Sequence, residues 1–280
     1  MGIIVDCKTI AKNLKEETKN RVNNFNNKGI ALSVSSILVG EDSGSIYYQN
    51  SQEKVASQLG INFNKIILPK DATRDDLINI IKKLNDDEKT HGIMLLLPLP
   101  KEIDESIVTN AISISKDIDC LSELSVGRFY KGEKSFIPCT PNSVLTILES
   151  LDLNLEGKNV VIVGRSNIVG KPVAQLLLQK NATITVCHSR TKNLKDICKN
   201  ADILIVAIGK PKFINKEYVR EDSIVIDVGT SSLNGKITGD VDLDDVLDKV
   251  KYITSVPGGV GTLTTTLLLR NVCEALNYED

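Results

Sequence analysis

Lys158 to Leu178, KNVVIVGRSNIVGKPVAQLLL, places a strand, a glycine turn and a helix in succession. Val160, Val161, Ile162 and Val163 form an unbroken β-branched run, which suits a strand buried on both faces. Gly164 ends the run, and Gly170 precedes a helical stretch. A turn of this kind turns free N–H groups and the positive end of a helix dipole toward an anion. Pro172 fits the helix start, where its missing N–H would be unpaired anyway. The turn departs from G-x-G-x-x-G: Ser166 stands for the middle glycine, and the last glycine falls one residue late. The expected chemistry is a phosphate cradle built on Gly164, Arg165, Ser166 and Ile168.

The next strand, Thr183 to Cys187, follows at the spacing of a βαβ unit. An NAD site usually carries a carboxylate near the end of this strand, for the ribose 2′-hydroxyl. Here the end reads His188-Ser189-Arg190-Thr191-Lys192. With no acid there, Arg165, Ser189 and Arg190 suit a 2′-phosphate, so the expected cofactor is NADP rather than NAD.

These residues need a scaffold, and 280 residues are enough for two domains. Apolar content of 41% and charged content of 25% are those of a soluble globular chain. A net charge of −2 gives no basic surface for nucleic acid. No apolar run is long enough to span a membrane, and no secretory signal or myristoylation site is expected from MGIIVDCKTI. The six cysteines include no C-x-x-C pair and read as reduced cytosolic thiols. Two histidines supply neither a zinc site nor a Ser-His-Asp triad, so no metal is expected.

Taken in order, the chain predicts a helix over 8–27, a strand over 31–39 and a helix over 45–59 capped by Gly60. A strand over 61–68, a helix opened by Thr73 and a buried strand over 92–97 complete a β-α-β-α-β unit. A helix near 104–112 precedes a loop reaching Pro141, and a helix over 142–151 joins the halves. Further strands are expected at 203–207, 224–228 and 252–256, and a last helix over 262–276. The fold class is therefore α/β: two α/β units flanking a cleft, the second Rossmann-like. The expected domains are residues 1–140, with helix 262–280 returning to pack on them, and 141–261 for the dinucleotide.

Four segments carry a resemblance: Val163 to Pro172, Lys116-Asp117-Ile118-Asp119, Pro138-Cys139-Thr140-Pro141 and Pro257-Gly258-Gly259-Val260-Gly261. In order and spacing the chain resembles the methylenetetrahydrofolate dehydrogenase/methenyltetrahydrofolate cyclohydrolase family along its whole length. The resemblance implies an enzyme of folate one-carbon metabolism, in the supply line of purine biosynthesis. It would oxidise 5,10-methylenetetrahydrofolate to the 5,10-methenyl form with NADP. Many members then hydrolyse that product to 10-formyltetrahydrofolate, and the family is usually a cytoplasmic homodimer in bacteria.

The same resemblance assigns the folate side. The family places a Ser, a Tyr three residues on and a Lys four beyond it on one helix. Ser45 and Tyr48 match, but the lysine position is Gln52, and Lys54 lies about 200° round the helix. The family glutamine that supports the lysine is replaced by Leu96. Asp119, which in the family grips the pterin, is retained. Pro257, Gly258 and Gly259 are expected at the substrate, and Thr230 at the nicotinamide half. The pattern implies a dehydrogenase with weak or absent cyclohydrolase activity; the alternative is the full bifunctional enzyme. A shikimate-type dehydrogenase would share the two-domain plan but not Pro257–Gly261 or Asp117–Asp119. A regulator without chemistry would have no use for the dinucleotide turn.

Overall fold

The structure is a computed structural model and describes residues 2–278. The chain divides into two compact units: residues 13–137 with 265–278, and residues 2–12 with 138–264.

In chain order the elements begin with β1 (Ile3–Ile4), α1 (Cys7–Asn26), β2 (Ser33–Val39), α2 (Ser43–Leu59), β3 (Asn62–Leu68), α3 (Arg74–Asp86) and β4 (Gly92–Leu95). Next come α4 (Glu105–Thr109), α5 (Glu123–Lys131), α6 (Cys139–Glu149), β5 (Asn159–Val163), α7 (Gly170–Leu178), β6 (Thr183–Cys187) and α8 (Leu194–Lys199). The chain closes with β7 (Ile203–Val206), β8 (Ile224–Asp227), β9 (Ser231–Leu233), β10 (Lys236–Thr238), α9 (Leu243–Val246), β11 (Tyr252–Ile253) and α10 (Gly261–Ala275).

The first unit holds a parallel three-stranded sheet in the order β3-β2-β4. Asp42 caps α2 by accepting from Ser45 N–H, and Gly60 closes it at φ 83°, a conformation that glycine adopts without strain. Thr73 and Asp76 form a capping box on α3. Leu77, Ile81 and Leu84 recur at helical spacing and bury against Ile37, Ile93 and Leu95 of the sheet. Residues 265–278 belong to this unit. Asn271 Nδ2 of α10 donates to Ile118 O at 2.8 Å, and Arg21 of α1 pairs with Glu274 at 2.6 Å.

The second unit holds a six-stranded parallel sheet in the order β1-β11-β8-β7-β5-β6. β5, β7 and β8 are buried along nearly their whole length, as strands covered on both faces require. The first residues of the chain differ from expectation. Residues 2–12 lie in this unit because Ile3 and Ile4 pair with Tyr252 and Ile253, and a two-residue edge strand carries no periodicity to read. Helix α5 replaces much of the expected loop before Pro141. Its caps are orthodox, Ser122 at the N-terminus and Gly132 at φ 70°, but Gly127 in its interior weakens the helical pattern. The β9–β10 hairpin was also not expected, although Asn234 and Gly235 both have positive φ, as a type I′ turn requires. No helix of the described residues is long and apolar enough to cross a membrane.

Two buried carboxylates, Asp227 at the end of β8 and Asp240 after β10, lie in this unit. Burial pushes Asp227 from the ordinary 3.8 up to about 6. The folded chain therefore holds this proton more tightly than the unfolded chain. The resulting stability is full below about pH 4 and is lost as pH rises through about 6, with an amplitude on the order of 2–3 kcal/mol. Asp227→Asn should flatten the unfolding free energy between about pH 4 and 7. Denaturant titrations across that range check this, and an unchanged slope contradicts it.

Candidate active site

In the second unit the dinucleotide turn lies between β5 and α7. Gly164 has φ 139°, and a Cβ there would lie 2.3 Å from Ala207 O. A Cβ at Gly170 would lie 2.3 Å from Gly164 O. Both positions therefore exclude any side chain. The amide arrangement differs from the expected free helix end. Ser166 Oγ accepts from Val169 N–H at 3.1 Å and Gly170 N–H at 3.3 Å, and Ser166 O accepts from Lys171 N–H at 3.0 Å. Pro172 has no N–H. The first-turn amides are thus occupied inside the turn, and the exposed surface is the loop from Arg165 to Ile168 itself. Ser166 closes the loop where a glycine usually stands.

Beside it, β6 pairs with β5 in register, Val163 opposite Cys187. Both strands end at the same edge of the sheet, so Arg165 and the turn from His188 to Thr191 leave from neighbouring points. His188 N–H donates to Thr191 Oγ1 at 2.9 Å, and Arg190 N–H donates to His188 Nδ1 at 3.2 Å. This tight turn leaves Ser189 and Arg190 exposed. Arg165, Ser189 and Arg190 are thus exposed at one edge of the sheet, with no carboxylate in either turn.

Thr230 is exposed just beyond β8. Pro257 is exposed, Gly258 has φ 97°, and a Cβ at Gly259 would lie 2.3 Å from Ser255 O. The close contact at Gly259 is with the chain itself, in the turn that starts α10.

In the first unit Lys116, Asp117 and Ile118 build a platform under Asp119. Lys116 Nζ donates to Leu84 O, Asn85 O and Asp87 O at 2.7–2.8 Å and so closes the end of α3. Asp117, fully buried, accepts from Leu121 N–H at 2.9 Å and Ser122 N–H at 2.8 Å. Ile118 is buried against Gly92 and its carbonyl is held by Asn271. Asp119, the next residue along the chain, is half-buried.

Helix α2 buries Gln49, Gln52, Ala56 and Leu59 at helical spacing. Ser45 does not stand free: its N–H and hydroxyl donate to Asp42 Oδ2 at 2.8 and 2.9 Å. Tyr48 is 45% exposed, one turn before Gln52, which is 2% exposed. Gln49 Nε2 donates to Ser36 O and Oγ at 3.1 Å. The Oε1 atoms of both Gln49 and Gln52 are buried with no hydrogen-bond partner among the described residues. Leu96 is 8% exposed, and its N–H continues the sheet to Ile37 O at 3.0 Å.

Residues 5–119 match the family described as tetrahydrofolate dehydrogenase/cyclohydrolase, catalytic domain, and residues 138–280 match its NAD(P)-binding domain. The chain belongs to the tetrahydrofolate dehydrogenase/cyclohydrolase family. A relative named bifunctional protein FolD, from Clostridium botulinum, is 60% identical over all of both chains. The bifunctional FolD methylenetetrahydrofolate dehydrogenase/cyclohydrolase of Campylobacter jejuni is 39% identical, with 99% of each chain covered and a TM-score of 0.96. The Trypanosoma brucei dehydrogenase-cyclohydrolase, solved with NADP cofactor and inhibitor, is 33% identical over 99% of this chain and 97% of its own, with a TM-score of 0.92.

Tyr48, Gln52, Leu96 and Asp119 fall in the segment matched by the catalytic-domain model, and Gly164, Arg165, Ser166, Ile168, Ser189, Arg190 and Thr230 in that matched by the NAD(P)-binding-domain model. Sequence reasoning missed Gln49 and Asp240. No motif marks Gln49, and Asp240 stands in the acidic run Asp240-Val241-Asp242-Leu243-Asp244-Asp245.

Proposed function

We propose that this member of the family is an NADP-dependent 5,10-methylenetetrahydrofolate dehydrogenase with weak or absent cyclohydrolase activity. The observation that carries the second half is the pair Gln52 and Leu96, both buried, at the positions of the family's lysine and glutamine.

NADP, when bound, accepts the hydride. The carbon that loses it is flanked by two nitrogens, which stabilise the resulting cation themselves. The protein's task is then chiefly placement. Asp119 fits the N–H edge of the pterin, since one carboxylate accepts two parallel bonds. Tyr48 offers a ring face and a hydroxyl on α2. Gly164 and Gly170 bring backbone to the pyrophosphate, and Arg165, Ser189 and Arg190 take the 2′-phosphate. No residue in this set has to carry a proton.

Hydrolysis of the methenyl cation is different. Water must add to carbon and lose a proton, and the ring nitrogen that leaves must gain one. A lysine desolvated beside a cation loses its proton near neutral pH and can do this. The amide of Gln52 neither accepts nor releases a proton in that range. The methenyl product should therefore leave this enzyme intact, as substrate for a separate hydrolase. We further propose a cytoplasmic homodimer.

The second reading is the full bifunctional enzyme, favoured by the name of the 60%-identical relative. Product analysis separates the two. Incubated with methylenetetrahydrofolate and NADP, the enzyme should accumulate one methenyl product per NADPH. Accumulation of 10-formyltetrahydrofolate above the buffer control favours the second reading.

The cofactor assignment has its own test. Arg165→Ala with Arg190→Ala should weaken NADP binding about ten- to a hundredfold, and NAD binding little. Titration of each dinucleotide checks this, and an unchanged NADP to NAD ratio contradicts it.

A further inference from the structure

The geometry points to Asp240 as a positioning residue of the dinucleotide site, acting through three consecutive backbone amides. It rests on the assignment of NADP to this unit. The chain leaves β5 toward β6 on one side and returns to β7 on the other, so the order of the sheet reverses at β5. Ligands of such sheets bind beyond the strand ends at this reversal. One wall there is the Gly164–Gly170 turn. The other is the exit of β7, Ala207 to Lys210, which approaches Gly164 so closely that no Cβ fits between them.

That second wall is held from behind. Asp240 Oδ2 accepts from Ile208 N–H at 2.6 Å and Gly209 N–H at 2.9 Å, and Oδ1 accepts from Lys210 N–H at 2.6 Å. Gly209 and Lys210 are exposed, whereas Asp240 is fully buried and forms no ion pair among the described residues. The three amides are the counter-charge of this carboxylate, and the carboxylate in turn fixes the loop. Asp240 also touches the exit of β8: a Cβ at Gly229 would lie 2.2 Å from its Cγ, one residue before Thr230. Asp240 itself is fixed by Asp227, which accepts from Asp240 N–H at 3.1 Å and Val241 N–H at 2.9 Å. One carboxylate thus sets the exits of two neighbouring strands at the dinucleotide edge, without any surface of its own to offer the ligand.

Asp240→Asn keeps the shape but turns an amide NH2 toward one or more N–H donors. The dissociation constant for NADPH should rise about tenfold or more, while the KM for methylenetetrahydrofolate, held by the other unit, stays within about twofold. A purely structural role would lower the melting temperature without this split. Gly229→Ala, which drives a methyl into the carboxylate, should give the same selective loss. A folded variant of either kind with unchanged NADPH affinity overturns the proposal. Independently of how the variants fold, NADPH added to the unaltered protein should shift the amide resonances of Ile208, Gly209 and Lys210. Binding without such shifts also overturns it, whereas no NADPH binding at all would instead overturn the cofactor assignment.

Discussion

Gln52→Lys combined with Leu96→Gln should raise enzymatic decay of methenyltetrahydrofolate by about 10²–10⁴-fold, the range for one positioned acid–base group. In the family resembled, the glutamine supports the lysine, so both changes are made together. Position 52 is buried on the sheet-facing side of α2, so a lysine there would be stripped of water and its proton loosened. Without an amide at position 96, however, the lysine would lack the group that supports it in the family. Gln52→Lys alone should therefore gain less, and at a greater cost in stability, because a buried unpaired amine is unfavourable. Dehydrogenase turnover should change by no more than a few-fold, since the hydride step needs no proton relay. Parallel assays of the two activities in both variants check this. A double variant that folds, oxidises its substrate and still shows no decay above buffer contradicts the role given to position 52.

Gly164→Ala should be the most damaging single change at the cofactor side. The backbone at φ 139° strains any residue with a side chain, and the added methyl would meet Ala207 O at 2.3 Å. Neither neighbour can yield cheaply, because one is the end of β5 and the other the end of β7, paired through Val163 and Val206. A loss of roughly 2–4 kcal/mol in stability is expected, with NADP affinity falling beyond detection before the fold is lost. Denaturant unfolding and dinucleotide titration on the same preparation test this. A variant with normal stability and normal affinity would mean that the turn does not hold the cofactor.

Much of this was legible because the deciding residues act locally. Four valine-class residues in a row, then Gly164, announce a buried strand and its turn without reference to anything distant. Asp119, Gln52 and Leu96 were legible only through resemblance, since nothing in their neighbours states a role. Structure supplied what depends on long separation. Ile3 and Ile4 join the sheet through Tyr252 and Ile253, almost the whole chain away. Asp240 reaches the loop at Ile208 across 32 residues. Ser166 turned out to hold the amides that the sequence had left for phosphate, because its hydroxyl competes for them over three and four residues. Asn271 fixes the platform of Asp119 from the far end of the chain.

We propose that this enzyme stops at the methenyl cation. The most direct measurement follows methenyltetrahydrofolate decay with and without the unaltered enzyme, in a buffer that does not itself catalyse hydrolysis, while the same preparation is assayed for NADPH formation from methylenetetrahydrofolate. NADPH formation together with decay at the rate of buffer alone is the predicted result. Enzymatic decay at a rate comparable to the hydride step would contradict it.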